Sequence, residues 1–316
     1  MQTRNSRPAP AARHRVLKRV AFQSFLTLER IGLHLLPRHF YSSVPDRGRL
    51  ARHPTGWKRR FGIPAIDSDS EAQLAWLEQC CSQYLHEVAG FSYLPRLDEL
   101  GIAFRYGYVE GQVLHCVVRS LAPPRIVEVG GGASTVLIAE AVARNTAEGR
   151  GPSRISTVDP YAPVELARLP CVEVIRVPAQ TVDASIFEEL SAGDLLFIDS
   201  THVLKTGSEL GRMYLEVLPS LPAGVVIQIH DVYLPYLYSP WVLSDFWDWQ
   251  ESALLAALLI GNPRFEVLCC QSALHDSMPD RLASVLPDYR PLALVEGIDP
   301  ETSTGHYPSS LWIRSR

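Results

Sequence analysis

Short apolar segments alternate with helical stretches from residue 125 to the end of the chain. Seven segments have the length and apolar content of β-strands: 125–129, 154–159, 172–177, 194–199, 225–231, 264–269 and 310–315. Their apolar residues are continuous rather than alternating, which is typical of strands buried on both faces of a mainly parallel sheet. A helical pattern at 134–145 follows the first of them. The pattern predicts a doubly wound, mainly parallel, Rossmann-like α/β sheet.

The chain between residues 37 and 121 has a mainly helical pattern. Its first part, 37–66, is interrupted by proline and glycine and is predicted to be irregular. Ser68 and Glu71 then have the spacing of a capping box, which marks the start of a helix. Apolar residues follow at intervals of three and four, as on one helix face: Leu74, Leu77, Cys81, Leu85 and Val88. A second helix is predicted at about 110–121, where two prolines end the pattern.

The first 36 residues differ from the rest in pattern and charge. Residues 16–36 are amphipathic but interrupted by charges, so no apolar run approaches the ~20 residues needed to span a bilayer. The first fifteen residues lack the apolar centre of a secretory signal and are predicted to be disordered. We therefore expect three parts: a basic arm at 1–36, a helical extension at 37–121 and the α/β domain at 122–316.

Charge is distributed unevenly along the chain. Residues 1–60 hold 14 Lys and Arg but only two acids, Glu29 and Asp46, a balance of +12 against −16 in the remainder. Such a segment binds nucleic acid or anionic lipid, or packs on an acidic body. No clear nucleic-acid site is evident. Packing on the acidic body is favoured, with a peripheral contact to an anionic membrane as the alternative.

The composition indicates a globular protein with free thiols. Apolar residues make up 47% of the chain and charged residues 20%, both ordinary values for a soluble domain. The six cysteines match neither a zinc spacing nor a secreted disulfide framework. Buried free cysteines are typical of a cytoplasmic protein, which is the location we expect. The oligomeric state does not follow from the sequence.

A glycine turn follows the first predicted strand, in the segment VEVGGGAST at 127–135. Ligands of an open α/β sheet bind at the carboxyl ends of its strands. Gly130 and Gly132 allow a tight turn and a close approach to a ligand, and Ser134 begins the next helix. Nicotinamide enzymes and S-adenosylmethionine enzymes share such a turn.

Acidic residues near the turn favour S-adenosylmethionine as the cofactor. Glu128 lies two residues before the first glycine, where a carboxylate repels a pyrophosphate but suits the cationic methionine end of S-adenosylmethionine, directly or through water. Thr135 replaces the third glycine of the dinucleotide fingerprint. Asp159, at the end of the next strand, is placed to accept hydrogen bonds from ribose hydroxyls.

Acid and imidazole follow two later strands, where each strand ends. Asp199 and His202 come after the strand at 194–199, and His230 and Asp231 end the strand at 225–231. We expect these four side chains to converge at the same edge as the glycine turn. One chemistry that fits is a divalent cation held by Asp199, His230 and Asp231, which would orient a substrate hydroxyl. The other is metal-free, with His230 or His202 as general base.

Aromatic residues are dense directly after the second acid–histidine pair, between positions 232 and 249. They are Tyr233, Tyr236, Tyr238, Trp241, Trp247 and Trp249. Two interpretations stay open, an aromatic surface for the substrate or a packed cover over the site. The spacing of Trp and Leu from residue 247 onward predicts a helix with an apolar, core-facing side.

Several segments resemble those of class I S-adenosylmethionine-dependent methyltransferases. They are VEVGGGAST, FIDSTHVLKTGSEL at 197–210 and VVIQIHDVYLPYLYSPWVL at 225–243. The most similar group is a bacterial branch with Asp-x-x-His after the fourth strand and His-Asp after the fifth. The resemblance covers about residues 35–316.

The resemblance implies roles for individual residues. Glu128, Gly130, Gly132 and Ser134 would surround the methionine side of the cofactor, and Asp159 would bind the ribose. Related O-methyltransferases and a hydroxylase-like group hold a divalent metal at the positions of Asp199, His230 and Asp231. In this chain His230 replaces an acid of that pattern.

We expect a methyltransferase domain at 122–316 that methylates a hydroxyl of a small molecule or sugar-containing metabolite. His230, Asp231 and His202 are the predicted catalytic residues, with or without a divalent metal. A metal-dependent hydroxylase or hydrolase on the same fold is the alternative, because an Asp/His site with open positions also activates oxygen or water. A third hypothesis is a non-catalytic partner protein that docks through its basic arm.

Overall fold

The computed structural model describes residues 12–36, 38–292 and 305–316. The chain divides into two compact units, Met1–Arg52 and His53–Arg316. The first contains helices α1 (Ala12–Glu29) and α2 (Arg47–Arg52). Part of the segment predicted to be disordered, residues 12–15, is therefore helical, and residues 1–11 lie outside the described part.

Seven strands form one sheet in the second unit. They are β1 (Arg125–Val129), β2 (Arg154–Val158), β3 (Val172–Ile175), β4 (Leu195–Ile198), β5 (Val226–Ile229), β6 (Phe265–Cys270) and β7 (Leu311–Ser315). Their order across the sheet is β3-β2-β1-β4-β5-β7-β6. The first five strands are parallel, and β7 runs antiparallel to both β5 and β6. All seven predicted strands are present, and the Rossmann-like α/β class is confirmed.

Helices cover both faces of this sheet. Those before β1 are α3 (Pro64–Asp67), α4 (Ser70–Cys81), α5 (Leu94–Leu100) and α6 (Tyr108–Leu121). Those after it are α7 (Ala133–Ala147), α8 (Ser185–Glu188), α9 (Glu209–Arg212), α10 (Leu218–Ser220), α11 (Glu251–Leu259), α12 (Gln271–Ser277) and α13 (Pro279–Val285). A π-helical turn at Met213–Val217 joins α9 to α10.

Successive strand residues pack into different apolar clusters because their side chains point to opposite faces. Ile126 and Phe197 belong to the cluster shared with α4, α6 and α7, whereas Val127 and Ile198 belong to the cluster shared with α9 to α11. Burying a Leu or Ile completely contributes roughly 1.5–3 kcal/mol. Burial on both faces explains why the strands appear in the sequence as continuous apolar segments.

Helix α4 differs from its prediction at both ends. Its N-cap is Asp69, whose carboxylate accepts a hydrogen bond from the Ala72 amide at 2.9 Å, so the predicted capping role of Ser68 is wrong. The helix ends at Cys81, and Leu85 lies in a separate 3₁₀ turn. An apolar spacing that continues through a short turn does not mark where a helix ends.

The point at which the chain reverses its direction across the sheet lies between β1 and β4. The first three strands add outward from β1 on one side, and the chain then returns to place β4 on the other side of β1. The loops after β1 and β4 therefore separate and leave a crevice between them, where ligands of such sheets bind. No helix among the described residues is long and apolar enough to cross a membrane.

Candidate active site

The glycine turn after β1 lies against the loop that follows β4. Gly130 has φ of +89°, and its amide donates to the Val158 carbonyl at 3.0 Å. A Cβ atom on Gly130 would lie 1.7 Å from the Asp199 carbonyl oxygen. Both the backbone conformation and the close approach therefore require glycine at this position.

Asp159 stabilises the same turn from the end of β2. Its carboxylate accepts a hydrogen bond from the Gly131 amide at 3.1 Å and one from the Tyr161 amide at 2.8 Å. It also lines the cleft beside the turn. Asp159 therefore holds the loops around the cleft while its carboxylate stays accessible to a ligand.

Glu128 lies beneath the turn and does not line the cleft. Its side chain is completely buried and accepts hydrogen bonds from the hydroxyls of Ser134 (2.7 Å), Thr135 (2.6 Å) and Thr157 (2.7 Å). Burial raises the pKa of Glu128 to about 7, against the opposing effect of these hydroxyl donors. Its observed contacts join β1, β2 and the start of α7, and its predicted contact with a cofactor stays a prediction.

The cleft has a volume of about 500 Å³. Five of the predicted site residues line it: Gly130, Gly132, Ser134, Asp159 and Asp199. Residues that the sequence analysis did not single out complete the lining, among them Ile102, Arg105, Tyr106 and Tyr161. The first three of these precede α6, so the helical extension contributes directly to the cleft.

Asp199 and His202 follow β4 and lie side by side. The His202 Nε2 atom is 3.3 Å from Asp199 and 3.6 Å from Asp231, while its Nδ1 atom is 2.7 Å from the Glu251 carboxylate. Glu251 is the first residue of α11 and is itself buried, with a hydrogen bond from the Tyr214 hydroxyl at 3.0 Å. The Glu251 contact fixes which imidazole nitrogen faces the two aspartates.

His230 and Asp231 follow β5 at the same edge of the sheet. The ring of His230 packs on the Tyr106 ring with 4.2 Å between centroids, and its Nδ1 atom is 3.4 Å from Glu110 of α6. The Asp231 carboxylate accepts hydrogen bonds from Tyr233 at 3.2 Å and from a serine hydroxyl before β7 at 3.1 Å. The four predicted acid and histidine side chains therefore converge, as expected.

Backbone conformation brings two of these side chains toward the others. His202 has φ of +58° and Asp231 has φ of +54°, the left-handed region that non-glycine residues rarely adopt. Such conformations cost on the order of 1–3 kcal/mol each and persist where surrounding contacts determine them. Here the contacts are the ones with Glu251 and Tyr233 described above.

Mutual charge sets the protonation of this cluster. Burial alone would raise the pKa of Asp199, but the charges of His230 and His202 lower it. Burial alone would lower the pKa of His202, but hydrogen bonds to Asp199 and Glu251 raise it well above its ordinary value. The pKa of His230 is likewise raised by nearby carboxylates against the effect of burial. The cluster thus favours a charged Asp199 carboxylate and protonated imidazoles on His202 and His230.

Three of the side chains have the arrangement of a metal site. One ligand atom from each of Asp199, His230 and Asp231 lies within 4.8 Å of the others, and the donors are carboxylate oxygen and imidazole nitrogen. The aspartates keep about a quarter of their side-chain surface exposed, whereas His202 and His230 are buried. A bound cation would be most accessible from the carboxylate side.

In the aromatic segment after Asp231, some side chains are packed in the core and others are exposed. Tyr233 is buried, and its ring packs near those of Trp241, Trp249 and Tyr307. Trp247 remains 67% exposed. The predicted helix begins only at Glu251, so the segment from the site to α11 is largely irregular.

Sequence reasoning missed Glu110 and Glu251. Both lie in the first turn of a helix, α6 and α11, where an acid is common for reasons unrelated to function. Both are buried, although an acid near a helix start is usually solvated. The sequence contained no signal that these helices begin beside the acid–histidine cluster.

Comparison with known proteins identifies the central part of the chain. Residues 127–232, from β1 to just after β5, match a family model described as a methyltransferase domain. No curated protein matches the chain by sequence.

Solved structures with a similar arrangement include three methyltransferases. A methyltransferase of Podospora anserina bound to S-adenosylhomocysteine (SAH) is 18% identical, covers 87% of this chain and 99% of its own, and has a TM-score of 0.37. An O-methyltransferase from Bacillus cereus in complex with SAH is 16% identical, covers 73% of this chain and 90% of its own, and has a TM-score of 0.40. The MycE methyltransferase of mycinamycin biosynthesis is 17% identical, covers 63% of this chain and 52% of its own, and has a TM-score of 0.27.

These TM-scores lie below 0.5, so the likenesses add no detail to the site. The family match extends from the glycine turn through both acid–histidine pairs, and the sheet around it is Rossmann-like. The central part of the chain, residues 127–232, is therefore a methyltransferase domain.

Proposed function

We propose that this enzyme methylates a hydroxyl group of a small molecule or sugar-containing metabolite. The observation that carries the proposal is the acid–histidine cluster at the ends of β4 and β5, because Asp199 belongs both to it and to the cofactor cleft. A hydroxyl is a weak nucleophile that reacts fastest when it is oriented and loses its proton. Carboxylates and imidazoles beside the cofactor would perform both tasks.

The cofactor would bind along the glycine turn. Gly130, Gly132 and Ser134 would contact its methionine side, and Asp159 would accept hydrogen bonds from the ribose. Glu128 would act through the hydroxyl of Ser134, to which it is bonded at 2.7 Å, rather than by direct contact.

In the transfer step the acceptor oxygen attacks the sulfonium methyl carbon. The bond from carbon to sulfur breaks, and S-adenosylhomocysteine (SAH) leaves with the electron pair on sulfur. Holding the two reactants in line supplies much of the rate. Asp199 and Asp231, the accessible members of the cluster, would hold the acceptor hydroxyl, and its proton would pass to the Asp199 carboxylate, which the protonated histidines beside it stabilise.

The donor set also fits a divalent cation. Asp199, His230 and Asp231 would hold it; the two carboxylates suit Mg²⁺ or Mn²⁺, whereas the imidazole nitrogen suits a transition metal such as Fe²⁺ or Zn²⁺. When bound, the cation would polarise the acceptor hydroxyl and lower its pKa. The same donors would suit a metal-dependent hydroxylase or hydrolase, but the methyltransferase family match favours methyl transfer.

Product analysis tests the acceptor class. The purified protein is incubated with methyl-labelled S-adenosylmethionine and a panel of phenols, sugars, carboxylic acids and amines, with and without Mg²⁺. We expect O-methylated products from hydroxyl acceptors. Products methylated on nitrogen or carbon alone would contradict the proposal, and failure to bind SAH by calorimetry would contradict the cofactor assignment.

Manganese binding tests the metal site separately from activity. We expect calorimetry or electron paramagnetic resonance to show one Mn²⁺ per chain, with affinity at least about tenfold lower in Asp231→Asn. Asp98→Asn, which removes an exposed acid from α5, is the matched control and should bind as the wild type does. Equal Mn²⁺ affinity in all three proteins would show that the ion does not bind at the cluster.

A further inference from the structure

The short segment before α6 forms one side of the cofactor cleft. Ile102 and Tyr106 are both buried, and the Tyr106 hydroxyl accepts a hydrogen bond from Gln228 of β5 at 3.2 Å. The Ile102 amide is bonded to the Leu97 carbonyl at 3.0 Å. The segment is therefore anchored at both ends, and Arg105 between them is exposed and lines the cleft.

The charge of Arg105 is opposite to that of the other charged residues in this cleft. Among the described residues that line it, Arg105 carries the one positive charge, while Asp159 and Asp199 carry negative charges. Within the described part of the chain, the Arg105 guanidinium has no hydrogen-bond or ion-pair partner, and its five donors are available to a ligand.

The amides of the glycine turn are already committed to the protein. Gly130 donates to the Val158 carbonyl, Gly131 to the Asp159 carboxylate and Gly132 to the Thr135 hydroxyl. In many nucleotide sites such amides bind the anionic part of the ligand. Here they are occupied, so an anionic ligand group needs another donor.

S-adenosylmethionine brings one anionic group, the carboxylate of its methionine part. Its ammonium, sulfonium and ribose groups are all compatible with the carboxylates of Asp159 and Asp199. We propose that Arg105 binds the cofactor carboxylate and thereby positions the methionine part in the cleft. This inference rests on the proposed cofactor. A guanidinium matches a carboxylate in a bidentate geometry, which would also orient the sulfonium methyl.

Two ligands that differ by the amino-acid part isolate this contact. SAH carries the carboxylate, whereas 5′-methylthioadenosine keeps the nucleoside and the thioether without it. In Arg105→Met, which retains the length of the side chain but not its charge, we expect the Kd of SAH to rise roughly five- to tenfold, since the pair is partly exposed to solvent. The Kd of 5′-methylthioadenosine should change by less than about twofold, and Arg105→Lys should recover part of the SAH affinity.

Arg154→Met is the matched control. It removes an exposed arginine from the start of β2, at the opposite edge of the sheet, and should leave both affinities unchanged. Thermal unfolding of each variant confirms that it is folded. An unchanged Kd of SAH in Arg105→Met, or an equal loss for both ligands, would overturn the inference. Failure of the wild type to bind SAH would instead contradict the cofactor assignment.

Discussion

Gly130 and Asp199 show how closely the two sides of the cleft approach each other. The position of Gly130 leaves no room for a side chain, because a Cβ atom would meet the Asp199 carbonyl at 1.7 Å. Backbone atoms cannot rotate away as a flexible side chain can. The glycine therefore fixes the distance between the loops after β1 and β4.

Replacing this glycine should damage both stability and binding. We expect Gly130→Ala to lower the free energy of unfolding by roughly 2–5 kcal/mol, from the clash and from φ of +89° together. SAH binding should be lost even where the protein is folded. Urea unfolding and calorimetry measure the two effects.

Gly132→Ala is the control within the same turn. Gly132 has extended backbone with φ of 177°, and a Cβ atom there would have no neighbour within 4 Å. This variant should lose far less stability than Gly130→Ala. Equal destabilisation of the two variants would contradict the assigned contact with Asp199.

Glu128 makes the stability of the protein depend on pH. Its pKa is raised from 4.5 to about 7 in the folded state, so between these values the folded chain binds a proton that the unfolded chain has released. The contribution of this group to stability is full below about pH 4.5 and is lost as pH rises through about 7. From about pH 4.5 to pH 8, the wild type should lose roughly 3 kcal/mol relative to Glu128→Gln.

Urea unfolding of both proteins at several pH values measures this difference. Glu173→Gln removes an exposed acid from β3 and should follow the wild type at every pH. A constant difference between wild type and Glu128→Gln would show that the pKa of Glu128 is the same in the folded and unfolded states.

Among the helices, α6 contributes residues to both the site and the core. Its first turn carries Glu110, which accepts a hydrogen bond from the Ser309 amide at 2.8 Å and lies beside His230. Its last turn carries Arg119, whose side chain is 1% exposed and donates to Glu87 at 3.0 Å and to Glu148 at 2.5 Å. The helix thus connects the extension to α7 and to the acid–histidine cluster.

Removing the Arg119 charge should destabilise the folded protein. Arg119→Met would leave the Glu87 carboxylate, which is 7% exposed, without its main partner. We expect a loss of about 3 kcal/mol in the free energy of unfolding, because the buried Glu87 carboxylate would keep only His115 at 2.7 Å and the more distant Arg144 at 3.7 Å. Urea unfolding at neutral pH measures it.

Arg96→Met gives the comparison with an exposed pair. Arg96 contacts Glu99 at 3.0 Å, but both side chains are about half exposed or more, so the expected loss is under about 1 kcal/mol. Similar losses in the two variants would mean that the Arg119 pair is no stronger than a surface pair.

At the scale of the whole molecule, the first 52 residues form a unit of their own. Several of its large apolar side chains are exposed, among them Phe22, Ile31, Phe40 and Tyr41. All described residues that line the cofactor cleft lie in the second unit. Deleting residues 1–52 should therefore leave SAH affinity within about twofold of the full chain, as measured by calorimetry.

The same deletion tests the alternative interpretation of the basic arm, a peripheral contact with an anionic membrane. A membrane contact predicts that sedimentation with vesicles of phosphatidylserine and phosphatidylcholine recovers more of the full chain than of the shortened chain, and that added salt reduces the difference. Equal recovery of both proteins would exclude the membrane contact. A shortened chain that fails to fold would instead show that the first unit is needed for stability.

Periodicity and turn chemistry determine the local elements from the sequence alone. All seven strands, helix α7 and the glycine turn follow from continuous apolar runs and from glycine, because these preferences act within a few residues. The same signals predicted that Asp199, His202, His230 and Asp231 would meet at one edge. The parallel order of β4 and β5 makes that proximity unavoidable.

Only the tertiary structure decided which side chains reach that edge from distant elements. Glu110, Glu251 and Arg105 are ordinary polar residues in sequence, and their positions depend on how α6, α11 and the segment before α6 pack on the sheet. Burial likewise placed Glu128 under the glycine turn, bonded to three hydroxyls. Local pattern determines the elements, whereas contacts between residues far apart in the chain determine the charge, burial and orientation of the groups at the site.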